Sequence, residues 1–125
     1  MLSKGIMISK LKKKRMKLLV EALRSGKYKQ TGNCLRDEKS YCCLGVACDI
    51  YRKETGKGRW RSLGSPRELK SFQGSTGYLP DKVMEWFGFP IREGFESDNV
   101  SLARRNDAGH SFQSIADLIE KHYDL

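Results

Sequence analysis

Apolar residues recur at helical spacing in three stretches of the chain. Met16, Leu19, Val20 and Leu23 form one stripe, Val46, Ala47, Ile50 and Tyr51 a second, and Phe112, Ile115, Ala116, Ile119 and Tyr123 a third at i, i+3, i+4, i+7 and i+11. Ser9 stands where a side chain can accept the first free amides of a helix over residues 10–25, and Gly26 stands where that helix should stop. Ser111 takes the capping position before the C-terminal helix. Pro80 opens a shorter helix over 81–87, with Val83, Met84, Trp86 and Phe87 as candidate core and Gly88 as terminator.

Between the first two stripes the pattern changes. Residues 28–31 and 41–44, separated by the turn-rich stretch 36–40, predict two short strands in a hairpin. Gly45 permits a tight backbone turn into the second helical stripe. Residues 52–64, rich in Lys, Arg and Gly, predict an exposed loop carrying Trp60. Ser65, Pro66 and Glu68 occupy N-cap, N1 and N3 of a further short helix closed by glycines at 74–77. A strand is expected near 100–104. The architecture is a single α+β domain over residues 9–125 after a loose lead-in at 1–8: an amphipathic N-terminal helix, a hairpin or small antiparallel sheet, several short helices and a C-terminal helix.

A chain of 125 residues is the size of one core, and 38% apolar with 31% charged residues is a folding composition. No stretch approaches the roughly 20 apolar residues of a membrane helix, and the first sixteen residues lack an apolar run of signal-peptide length. The expected location is therefore a cytosol, with Cys34, Cys42, Cys43 and Cys48 as reduced thiols rather than a disulfide frame. The net charge of +9 is local: residues 1–30 carry +9, residues 31–75 carry +4 and residues 76–125 carry −4. Such asymmetry points to an anionic partner, a nucleic acid, a phosphorylated small molecule or an acidic protein, or else to a solvated basic helix face.

Candidate chemistry is sparse. No C-x-x-C pair exists, and neighbours on a strand face opposite ways, so Cys42 and Cys43 should not share a metal; no metal and no cofactor is expected. Only His110 and His122 could serve a cysteine nucleophile as base, and the spacing pairs neither with a thiol. Gly56, Lys57 and Gly58 lack the remainder of a phosphate-binding loop. Trp60 lies between Arg59 and Arg61, and Tyr28 between Lys27 and Lys29, two arrangements that can stack a base while holding phosphate, or that form a basic rim around core aromatics. Asn106 and Asp107 belong to a polar cluster before the last helix, suited either to an anion or to turn and capping bonds.

Residues 22–30 (Ala-Leu-Arg-Ser-Gly-Lys-Tyr-Lys-Gln), 41–49 (Tyr-Cys-Cys-Leu-Gly-Val-Ala-Cys-Asp), 78–80 (Tyr-Leu-Pro) and 106–120 (Asn-Asp-Ala-Gly-His-Ser-Phe-Gln-Ser-Ile-Ala-Asp-Leu-Ile-Glu) carry a family likeness. On these motifs the chain resembles a family of small, uncharacterised tailed-phage proteins over most of residues 18–121, with an atypically long basic N-terminal extension. The resemblance implies a bacterial host cytoplasm and brings no catalytic residues with it. By analogy with phage accessory proteins, the expectation is a non-enzymatic binder of an anionic, nucleotide-like ligand that sequesters a host immune signal. Lys27, Lys29, Arg59 and Arg61 would then pair phosphates, Tyr28 and Trp60 would stack a base, and Asn106 with Asp107 would fix hydroxyls. The alternatives are a nucleic-acid-binding module using the basic N-terminal helix, or a modulator of a host protein; ligand placement between protomers would make the protein an oligomer.

Overall fold

The computed structural model describes residues 8–64, 66–97 and 100–125. In chain order these form α1 (Lys10–Arg24), β1 (Lys29–Gln30), β2 (Ser40–Tyr41), α2 (Cys43–Thr55), β3 (Trp60–Ser62), β4 (Lys70–Phe72), α3 (Asp81–Phe87), β5 (Glu96–Ser97), β6 (Val100–Ser101), α4 (Leu102–Asp107) and α5 (Phe112–His122). The fold is α+β, as the alternation of long and short patterns predicts. Residues 1–7 of the expected lead-in lie outside the described residues.

The two outer helices form as their sequences dictate. The Ser9 hydroxyl accepts from the Lys12 amide, Met16, Leu19, Val20 and Leu23 are buried, and Gly26 follows at φ +76°. The Ser111 hydroxyl accepts from the Ser114 amide, and α5 buries Phe112, Ile115, Ala116 and Ile119, with Tyr123 fully buried beyond its end. α1 packs on α5, α2 and α3. At the α1–α5 seam the Arg24 guanidinium forks to Asp117 and Glu120, and this pairing holds the Glu120 carboxyl below its usual range. α3 ends at Gly88, in the left-handed region at φ +88°, where the sequence places its stop.

α2 is the central element. Every residue from 43 to 51 is buried. It begins earlier than its apolar stripe predicts: Cys42 is the N-cap, its Sγ accepting from the Gly45 amide at 3.4 Å. Residues 42–44, expected to be strand, are therefore cap and first turn. The small side of Gly45 decides this, because a Cβ there would stand 1.9 Å from the Leu35 carbonyl oxygen. The helix also runs into the expected loop, through Thr55 to a left-handed Gly56.

The strands depart further from expectation. β1 and β2 are not a hairpin but a parallel pair, Lys29 beside Ser40 and Gln30 beside Tyr41. The turn between them does form, closed by Asp37 Oδ1 accepting from the amides of Lys39 and Ser40, but its arms are Arg36 and Tyr41, which bridge antiparallel. Arg36 also bridges Lys70, joining this ladder to the antiparallel pair β3–β4. The capping pattern at 65–68 opens no helix: Ser65 lies outside the described residues, Pro66 and Arg67 form a turn, Glu68 has φ +56°, and β4 follows. Burying Phe72 against Trp60 and Tyr51 outweighs a local helix start. Of residues 100–104, expected as strand, Val100–Ser101 is strand and the rest is helix; it pairs antiparallel with Glu96–Ser97. Ser101 then caps α4, accepting from the Arg104 amide at 3.1 Å.

Gly45→Ala is expected to destabilise the protein by about 3 kcal/mol or more, because backbone rather than a flexible side chain meets the new methyl group. A urea midpoint shifted down at unchanged slope would show it; an unaltered midpoint would mean that α2 does not press on the Leu35 backbone.

Candidate functional site

A helix buried over nine residues holds one charged side chain there, Asp49, which is 3% exposed. A carboxylate so placed needs donors on both oxygens, and the fold brings them from three segments. Tyr28, just after α1, donates its hydroxyl to Oδ2 at 2.7 Å. Trp60, on β3, donates its indole N–H to Oδ1 at 3.1 Å. Arg52, one turn along α2, donates Nε and Nη2 to Oδ1 at 3.1 and 2.9 Å, and Lys53 Nζ stands 3.5 Å from Oδ2. Burial would raise the Asp49 carboxyl; the bonds from Tyr28, Arg52 and Trp60 outweigh it and hold the group below its ordinary value. Burial and the bond to Asp49 push the Tyr28 hydroxyl well up, so it stays a donor.

Aromatic rings and cations assemble around this carboxylate. Tyr28 and Tyr41 meet edge to face at 4.9 Å, and Tyr41 and Trp60 at 5.9 Å. The Arg36 guanidinium lies 4.6 Å from the Tyr41 ring and 5.2 Å from the Trp60 ring, and Lys53 Nζ lies 5.4 Å from that of Tyr28. Two cations, Arg52 and Lys53, thus meet the carboxylate, and a third, Arg36, lies on the half-buried rings beside it. A groove of about 270 Å³ between α1 and α2 adjoins it, floored by Leu18, Ala22 and Ile50 and edged by Tyr28, by the bases Lys27 and Lys53 and by the acids Glu21 and Glu54.

Of the residues singled out in the sequence, Tyr28 and Trp60, 32 positions apart, are brought to the same carboxylate. Their polar atoms serve Asp49, and cations cover ring faces that the sequence left open for stacking. Lys27, Lys29, Arg59 and Arg61 are exposed around them. Asn106 is buried and spent on the fold: its Oδ1 accepts from the Cys43 amide and Gln30, and its Nδ2 donates to the Thr31 carbonyl. Both polar atoms of the amide are thus engaged within the fold, where the sequence reading had them meet a ligand hydroxyl. Asp107 accepts from the Asn33 amide at 2.7 Å. This pair sits at the start of α2, six residues and about 9 Å along the helix from Asp49. The sequence reading missed Asp49, Arg36, Tyr41, Arg52 and Lys53. One signal was present, an acid within an apolar helical stretch followed by bases at i+3 and i+4.

All four cysteines are free and buried. Burial pushes the Cys42 thiol up to about 12 against the opposing amide of Gly45, and raises Cys43 and Cys48 well above the usual range. No thiolate is available at neutral pH from these three. His122 stacks flat on Phe95 at 3.8 Å, and burial lowers its pKa. Among the described residues no three His, Cys, Asp or Glu side chains gather to hold a metal ion, and no helix is long and apolar enough to cross a membrane.

The fold and this face define a small α+β domain with a cation-rich aromatic surface. Residues 7–123 match the model of a domain of unknown function, DUF8296, and the chain belongs to that family. No curated protein and no solved structure matches it.

Asp49→Asn is expected to cost about 2 kcal/mol, the scale of hydrogen bonds to a charged acceptor. Because the folded carboxyl titrates below its unfolded value of 3.8, its contribution is complete above that pH and lost as pH falls through the folded value. Urea midpoints measured from pH 7 to pH 2 should therefore fall more steeply in the wild type than in the variant at the acid end; parallel curves would deny Asp49 this role.

Proposed function

We propose that the protein is a non-enzymatic binder of an anionic, nucleotide-like ligand, held at the aromatic face around Asp49. The observation that carries this reading is the gathering of cations there: Arg52 and Lys53 share the one buried carboxylate, Arg36 lies on the neighbouring rings without an acid, and exposed Lys27, Lys29, Arg59 and Arg61 are nearby in the chain, with Glu21 and Glu54 confined to the adjoining groove. Cations held at half-buried rings attract phosphate more strongly than cations in open water, since the local dielectric is lower. Taken with the resemblance to tailed-phage proteins, the role is that of a phage accessory protein that sequesters a nucleotide signal of host immunity in the bacterial cytoplasm. Tight storage of a signal requires donors and stacking surfaces but no acid, base or nucleophile.

A second reading has its own observation. Lys10, Lys14 and Lys17 lie exposed along α1 at spacings of four and three, and none of them makes an ion pair among the described residues. A nucleic-acid backbone could lie along that helix face.

Native mass spectrometry of protein purified from bacterial cells tests both. A discrete nucleotide-sized adduct, surviving nuclease and lost on denaturation, is expected; heterogeneous nucleic acid that nuclease removes would favour the second reading. A bare protein mass, together with no binding of single-stranded oligonucleotide at 50 mM salt, would defeat both. Under the second reading oligonucleotide affinity should fall steeply by 200 mM salt, with a smaller slope for Lys10, Lys14 and Lys17 changed together to Gln.

A further inference from the structure

Arg36 has an environment unlike that of the half-buried Arg15, Arg24 and Arg52. Arg15 donates to the Trp86 carbonyl oxygen at 2.8 Å, Arg24 forks to two carboxylates and Arg52 grips Asp49. The Arg36 side chain makes no hydrogen bond and no ion pair among the described residues; its Nε is buried without a partner, as that of Arg24 is, but the Arg24 Nη atoms are taken by carboxylates and those of Arg36 are not. What holds it is the pair of rings, Tyr41 and Trp60. A guanidinium carries five donors, so their lack of a protein acceptor is an incomplete hydrogen-bond set in a partly desolvated place.

The sheet register adds a second cation. Arg36 bridges Tyr41 on one side and Lys70 on the other, with the Lys70 amide donating to the Arg36 carbonyl at 2.9 Å. Directly bridged residues place their side chains on the same face, so Tyr41, Arg36 and Lys70 form a row across the sheet. Like charges opposite each other weaken a sheet unless something neutralises them. The nearest acids in sequence do not: Asp37 is taken by its own turn and by Arg67, and Glu68 accepts from the Ser62 hydroxyl. Lys70, like Arg36, is half-buried and has no ion pair among the described residues.

We propose that Arg36 and Lys70 form a phosphoryl-binding site, with Arg36 oriented by Tyr41 and Trp60 and Lys70 supplying the second positive charge. The planar guanidinium fits two phosphate oxygens at once, and the ammonium meets a third as a point charge. The inference rests on the nucleotide-like reading above and names the residues that read its phosphate. The same oxygens occur in the terminal phosphate of a nucleotide and in the diester of a strand.

Calorimetric titration of the full chain with adenosine 5′-monophosphate, adenosine, and a single-stranded oligonucleotide without terminal phosphates separates the cases. Wild type is expected to bind the monophosphate and not adenosine. Arg36→Gln should weaken monophosphate binding about tenfold or more, Arg36→Lys should recover only part of it, and Lys70→Gln should weaken it severalfold. Lys70→Gln keeps the test usable if the Arg36 variants do not fold. Binding of the oligonucleotide alone, with the same dependence on both residues, would support the site with a diester as its source. Variants that bind as wild type does would overturn the site and leave the nucleotide reading standing. A wild type that binds none of the probes would overturn both.

Discussion

The carboxylate of Asp49 is the constraint around which this domain is organised. α2 runs through the middle of the molecule with nine successive residues buried, and a charged group there is tolerable only if its hydrogen-bonding capacity is filled. The donors come from α2 itself, from the segment after α1 and from β3. Satisfying one side chain therefore fixes where Tyr28 and Trp60 lie, and through their ring contacts it fixes Tyr41 and the approach of Arg36. The start of α2 is held in the same manner by Asn106, whose amide joins α4 to β1 and to the first turn of the helix. The helix is thus pinned at its start and at its middle by polar side chains, and apolar residues fill the space between.

That arrangement separates the charges of the molecule into two kinds. Arg24 and Arg52 are consumed by carboxylates, and they join elements or satisfy a buried acid. Arg36, Lys70 and the exposed lysines of α1 have no carboxylate partner among the described residues, and surplus positive charge resides in groups like these. A surplus on an exposed helix is inexpensive, because water and salt screen it. A surplus at half-buried rings is less well screened, which is why the sheet face supports a ligand reading more strongly than the helix does. Burial holds the thiols of Cys42, Cys43 and Cys48 in the neutral form, so none of the three offers a thiolate at neutral pH.

The sequence alone determined the helices whose signals are local. Ser9 with Gly26, Pro80 with Gly88, and Ser111 with its i, i+3, i+4 stripe each carry start, stop or face within a few residues, and α1, α3 and α5 follow them closely. The local charge excess and the pairing of aromatics with bases at Tyr28 and Trp60 were legible for the same reason. Tertiary structure decided the rest. Whether residues 28–31 pair with 41–44 as a hairpin or stand parallel to β2 depends on Arg36 and Lys70, which lie outside both segments. The cap pattern at 65–68 lost to the burial of Phe72, and the start of α2 was set by the closeness of the Leu35 backbone to Gly45. Asp49, Arg36 and Lys70 carry no local signature of a shared face. They become a site only when α2 and a three-way sheet register bring distant positions together, because hydrogen-bond satisfaction is a property of the folded neighbourhood rather than of the chain.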